Sequence, residues 1–246
     1  MIKPVIILVL IVTIFGCQSK KEVSPPMQVE KTTLHKKVIY QVFPRLFGNT
    51  KTTNKPWGTL MENGTGKFSD FSERALQEIK ELGVTHIWYT GVPHHALITD
   101  YSTFEISRDD PDIVKGRAGS PYAVKDYYNV NPDLADDVEN RLEEFKELIS
   151  RTHEVGLKVL IDIVPNHVAR NYEGKSTPEG SEPFGYSDDI TVEYARNNNF
   201  YYIPNSEFKV PRWENGYLPL GGENQEMIDN KFVEVPAKWT GNGSRD

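Results

Sequence analysis

The sequence predicts an α/β protein whose strands run parallel, and three observations carry this. Short runs rich in β-branched and aromatic residues alternate with segments of helical periodicity. Both helix exits have one form, Leu82-Gly83-Val84 and Val155-Gly156-Leu157. Each helix thus hands the chain straight to a strand, and successive strands point the same way. Joints after the strands are long, whereas joints after the helices are a single glycine. That asymmetry is the habit of a (β/α)8 barrel, which builds its site from the loops after its strands. A doubly wound sheet is the alternative, but no glycine-rich phosphate turn follows the first strand.

The elements follow in order. Val38-Ile39-Tyr40-Gln41-Val42-Phe43 reads as the first strand, and a loop rich in Asn, Thr, Gly and Lys runs from Gly48 to Lys67. Ser72 can cap a helix whose apolar residues Ala75, Leu76, Ile79 and Leu82 share a face, with Gly83 at its C-terminal end. Val84 to Tyr89 is the second strand. The tract from Gly91 to Asp136 is too long for mere connection and is expected to be functional. Asp136 or Asp137 is expected to cap the next helix, with Val138, Leu142, Phe145, Leu148, Ile149 and Val155 in one stripe. Leu157 to Val164 is the third strand, apolar on both faces near its end, which suits burial in a parallel sheet. From Ala169 to Asp246 periodicity is almost absent. Aromatic residues are frequent there (Phe184, Tyr186, Tyr194, Phe200, Tyr201, Tyr202, Trp213, Tyr217), so a small irregular subdomain that buries its rings is expected.

Composition narrows the class. The 28 basic and 35 acidic side chains of the 246 residues leave a net charge of −7, which argues against nucleic acid as a partner. A hydrophobic content of 38% with 26% charged residues excludes a multi-span membrane protein and a mostly disordered chain. The single cysteine, Cys17, excludes an intrachain disulfide framework. The chain opens with Lys3 and an apolar run from Val5 to Phe15, well short of the roughly 20 residues of a membrane-spanning helix. It reads as a secretory signal. Ile14-Phe15-Gly16-Cys17 resembles a bacterial lipobox, with an ordinary signal peptide and a chance cysteine as the alternative. The expected order is a signal peptide over 1–16, lipid on Cys17 and a tether over 17–36. The protein is then exported and anchored to a bacterial membrane, at the outer membrane or its periplasmic face.

Candidate chemistry gathers at the end of the third strand. Asp162 and Val164 alternate to one face, Pro165 turns the chain, and Asn166 and His167 fall at the mouth. A carboxylate, an amide oxygen and an imidazole suit a sugar hydroxyl or a hard cation. The plainer alternative is an aspartate that caps a loop and a histidine satisfied by backbone. His94-His95 reads as solvated loop, since adjacent side chains diverge on an extended segment, and Asp109, Asp110 and Asp112 beside Pro111 read as a solvated turn.

Asp162-Ile163-Val164-Pro165-Asn166-His167 also resembles the first conserved region of the α-amylase family of glycoside hydrolases. Tyr40-Gln41-Val42-Phe43-Pro44-Arg45-Leu46-Phe47 resembles that family's first strand, and Gly83-Val84-Thr85-His86-Ile87-Trp88-Tyr89 its second. The stretch from Ser120 to Pro132 resembles the approach to its second helix. The resemblance implies the N-terminal part of a (β/α)8 TIM barrel, its first three strands within 37–168. An irregular inserted domain would follow strand three over 169–246. It implies an α-glucan as substrate, with Tyr122 stacking on the sugar at the cleavage point and His167 binding hydroxyls of that sugar. Asp162 would support the catalytic centre, and Asn166 would ligate calcium between barrel and insert. Ala123 stands where the stacking motif usually carries Trp, which touches subfamily and not family.

A retaining mechanism in this family needs two carboxylates about 5 Å apart, and the resemblance puts them after strands four and five. Three strands are legible, and the residues left after leader, tether and insert fall short of the roughly 250 of a complete barrel. Gly243-Ser244-Arg245-Asp246 has neither the spacing nor the preceding strand of the nucleophile motif. The expectation is a part of a longer enzyme, with no catalytic acid in this chain and both beyond Asp246. A non-catalytic glycan-binding lipoprotein, or an inactive remnant, is the alternative.

Overall fold

The structure, a computed structural model, describes residues 36–210, 228–229 and 231–239. Its strands and helices are β1 (Ile39–Val42), α1 (Leu60–Asn63), α2 (Glu73–Glu81), β2 (His86–Tyr89), β3 (Pro93–His95), β4 (Val124–Val130), α3 (Arg141–Glu154), β5 (Lys158–Ile161), β6 (Tyr202–Ile203) and β7 (Ala237–Lys238). β1, β2 and β5 form a parallel sheet in that order, in a register that lines up Tyr40, Ile87 and Val159. β3 and β4 make an antiparallel hairpin, and β6 and β7 a second, shorter one.

Alternation along the strands builds the core. Tyr40, Val42, Ile87, Tyr89 and Val159 pack with Leu76 and Ile79 of α2 and with Phe145 and Leu148 of α3. Each such side chain, once buried, contributes about 1.5–3 kcal/mol. Phe71 stacks on Phe47 at 4.1 Å and meets the Tyr89 ring edge-on at 5.0 Å. The Tyr89 hydroxyl donates to Thr152 Oγ1 at 2.8 Å, and Thr152 donates to Leu148 O. Burial pushes the Tyr89 phenol up to about 12.

The expected α2 is observed: Ser72 Oγ accepts from Ala75 N, and Gly83 leaves the helix at φ +83°. The expected cap of the next helix is not. Asn140, and neither Asp136 nor Asp137, precedes the first turn of α3, because the Glu144 carboxylate reaches back to accept the Asp136 and Asp137 amides. Val138 therefore falls outside the helix and packs instead against Leu97, Tyr101 and Ile106. The third strand runs parallel as expected but ends at Ile161 and is not buried on both faces. Ile161 is 50% exposed, since β5 lies at the edge of the sheet among the described residues.

The tract from 91 to 136 is not loop throughout. His94 and His95 lie in β3 and are buried, which corrects the expectation of solvated side chains; pairing with β4 covers both. Asp109 is buried too, against Lys125 at 2.9 Å, and only its neighbours Asp110 and Asp112 lie nearer the surface. Beyond 169, Tyr202 is buried but Phe184, Tyr186, Tyr194 and Tyr201 stay exposed, so that tract does not bury its rings as expected. Trp213, Tyr217, Cys17 and Asp246 lie outside the described residues.

Candidate functional site

Parallel strands bring their C-terminal ends to one edge, and the residues that follow β1, β2 and β5 meet there. Asp162, the first residue after β5, uses both carboxylate oxygens. Oδ1 accepts from the Trp88 indole of β2, and Oδ2 accepts from Gly91 N at 3.0 Å. Gly91 has φ +79°, and a Cβ there would stand 2.9 Å from Pro121 and 3.9 Å from the Phe43 ring. Only glycine fits, on conformational and on steric grounds. This one residue thus joins the end of β5, the end of β1 and the segment that carries Tyr122.

That segment is held from beneath by the β3–β4 hairpin. His95 is buried with Nδ1 3.2 Å from Pro93 O and Nε2 3.1 Å from Ala118 O. Gly119 (φ +69°) passes so close to Ala96 that a Cβ would meet its carbonyl at 1.7 Å. Lys125 Nζ, wholly buried, donates to Ser107 O at 2.7 Å and to Asp109 Oδ1 at 2.9 Å, with Glu173 at 3.8 Å. Asp109 also accepts from Leu97 N. Burial raises the Asp109 carboxyl, and the Lys125 ammonium pulls against it. On this base Tyr122 stands 43% exposed, available as a flat stacking surface.

The turn after Asp162 is pinned by Tyr127 of β4, whose hydroxyl donates to Val164 O and lies 3.5 Å from His167 O. Burial raises the Tyr127 phenol, so it stays a donor. Its ring sits 6.1 Å from Tyr172 and 6.0 Å from Phe184, which stack on each other at 5.3 Å. Asn166 and His167 are exposed, with Asn166 Nδ2 3.3 Å from His167 Nδ1. An amide that donates to Nδ1 goes with the imidazole tautomer protonated on Nε2, the form that can donate to a hydroxyl. Asn166 carries an amide oxygen, and among the described residues no group of three or more His, Cys, Asp or Glu side chains could hold a metal ion.

Of the residues expected from sequence, Asp162 and the Tyr122 segment are brought together through Gly91, while Asn166 and His167 lie on the Tyr127-pinned turn. Asp162 supports this edge as a structural acceptor. Three residues escaped the sequence reading. Trp88 and Tyr127 act through contacts 74 and 37 residues away, which no local signal announces. Gly91 carried one signal, a glycine directly past a strand end.

A family model described as the α-amylase catalytic domain matches residues 41–230. Trehalose-6-phosphate hydrolase of Bacillus subtilis (strain 168) is 28% identical over 200 residues, covering 81% of this chain and 26% of that protein. Cyclomaltodextrin glucanotransferase of Bacillus licheniformis is 24% identical over 218 residues, 82% of this chain and 28% of that protein. A crystal structure of an α-amylase from Lactobacillus plantarum superposes with a TM-score of 0.38 at 31% identity, covering 55% of this chain and 24% of that one. The chain thus spans about a quarter of the length of the curated relatives it matches.

Proposed function

The chain belongs to the α-amylase catalytic-domain family, and from that premise we propose that it forms the substrate-binding first part of the barrel of an α-glucan-acting glycoside hydrolase or transglycosylase. The observation that carries this is the edge where Asp162, through Gly91, ties the end of a parallel sheet to the segment of Tyr122. Tyr122 stacks on a glucosyl ring, and His167 Nε2–H donates to a hydroxyl of the same ring. Residues 37–168 supply the barrel part and 169–246 the insert. The relatives named above include a hydrolase and a transferase, so both outcomes fit the family.

The retaining reaction uses a nucleophile and an acid/base about 5 Å apart. Asp162 is the carboxylate within five residues of the ends of β1, β2 and β5, and both its oxygens are engaged. We infer that the catalytic pair is not among residues 18–246. Residues 18–246, assayed on maltodextrin and an activated α-maltoside, should bind without turnover. Turnover that vanishes on substituting a carboxylate of this chain would overturn that assignment.

The Ile14-Phe15-Gly16-Cys17 stretch supports export and a lipid on Cys17, with the residues to Lys36 as tether. Expressed in a Gram-negative host, Cys17→Ala should accumulate as unprocessed precursor; normal cleavage of that variant would point to an ordinary secretory signal. Calcium at Asn166 is a further proposal, supported by the Asp162–His167 motif.

A further inference from the structure

We propose that Phe43, the first residue after β1, touches the substrate: its ring is an apolar wall of the sugar site, set between Asp162 and the segment of Tyr122. The inference rests on the glucan reading and adds to it one side chain that the sequence motifs left without a role.

Register and alternation place the residue. Val42, Tyr89 and Ile161 are aligned across the parallel sheet, so the next residues of the two outer strands, Phe43 and Asp162, leave the sheet at one level. Tyr40 and Val42 pack into the core against the helices. Alternation turns Phe43 to the opposite face. On that same face the Trp88 indole of β2 meets the Asp162 carboxylate.

The contacts agree with this placement. The point that a Cβ of Gly91 would occupy lies 3.9 Å from two atoms of the Phe43 ring and 2.9 Å from Pro121 Cβ. The amide of the same glycine donates to Asp162 Oδ2 at 3.0 Å. Phe43, Asp162 and the residue before Tyr122 thus converge on Gly91.

The ring is open to solvent on a backbone that is held. Phe43 is 38% exposed, close to the 43% of Tyr122. Phe43 O accepts from Leu46 N at 2.9 Å and from Phe47 N at 3.0 Å, and Phe47 stacks on the buried Phe71. A side chain carried on a fixed turn loses little freedom when a ligand covers it. Tyr122 offers a ring face to a glucosyl unit, and Phe43 offers a second apolar surface on which the C–H groups of that unit leave water.

The test is calorimetric titration of the full chain with maltohexaose for wild type, Phe43→Ala, Phe43→Leu and Tyr122→Ala, with a melting temperature for each. Phe43→Ala should weaken binding about fivefold, and Phe43→Leu, which keeps most of the apolar surface, about twofold or less. Both should melt close to wild type, because the ring stands outside the core. Fluorine NMR with para-fluorophenylalanine in place of Phe43 decides the matter should Phe43→Ala not fold: the resonance should shift saturably as maltohexaose is added. Tyr122→Ala that weakens binding while Phe43→Ala binds like wild type, or a fluorine resonance that maltohexaose leaves unmoved, overturns the proposal and leaves the glucan reading standing. Absence of saturable binding by wild type overturns both.

Discussion

Replacing Asp162 separates a supporting role from a merely solvated one. Asp162→Ala removes the acceptor of the Trp88 indole N–H and of Gly91 N together. A hydrogen bond to a charged group is worth about 1.5–3 kcal/mol, and a donor left unpaired costs about 1–3. Asp162 is partly exposed, so the lower ends apply, and a loss of about 2–4 kcal/mol is expected for the pair. Asp162→Asn keeps one acceptor oxygen and should cost about half of that. Urea unfolding gives the free energies, and tryptophan emission reports the freed indole of Trp88. Because Gly91 lies against Pro121, glucan binding at Tyr122 should weaken in step with stability. A cost for Asp162→Ala below about 0.5 kcal/mol, with unchanged emission, would refute the reasoning.

Other substitutions probe the base beneath the site. Lys125→Met leaves the buried Asp109 carboxylate without its partner and should cost about 3–5 kcal/mol, whereas Lys125→Met with Asp109→Leu should cost less than the sum; additive losses in a double-mutant cycle would contradict the pairing. Burial first, then the nearby charges of Lys125, His95 and Arg141, depress His94 from 6.5 to about 3, with Asp126 opposite it across the hairpin. The unfolded chain then takes up the proton first, so stability should fall as pH drops from about 6.5 toward 3. The loss at pH 5 should be about 2 kcal/mol, on the order of 1.4 per pH unit below 6.5. In His94→Gln that part of the pH dependence should vanish, and equal slopes for variant and wild type would count against it. Added calcium should raise the melting temperature of wild type more than that of Asn166→Ala; an unchanged wild-type melt in chelator would remove calcium from the account.

What was legible in the sequence was what repeats locally. The periods of α2 and of the strands, Ser72 as cap and the glycine exits at Gly83 and Gly156 all follow from residues within one turn of each other. The helix α1 could also have been read, since Thr59 and Glu62 form a capping box at the spacing that motif requires. Apolar residues on both faces of the third strand showed what β5 tolerates, not what covers it, and Ile161 and Ile163 remain exposed. His94, His95 and Asp109 were misread for one reason. Their burial depends on β4, paired from across a long stretch of chain, and on the ammonium of Lys125. At the site the motif gave Asp162, Asn166, His167 and Tyr122 as candidates. The contacts that organise this edge, Trp88 and Gly91 to Asp162 and Tyr127 to Val164, join segments that only the folded chain brings together.

The claim that this strand-end edge recognises α-glucan is tested most directly by calorimetric titration with maltohexaose, with cellohexaose as the β-linked control. The account predicts saturable binding of the α-linked chain, about tenfold or more tighter than the control, which corresponds to about 1.4 kcal/mol. It also predicts that Tyr122→Ala and His167→Ala each weaken that binding while the melting temperature stays near that of wild type. No saturable binding of maltohexaose, or binding that both variants leave unchanged, would contradict it.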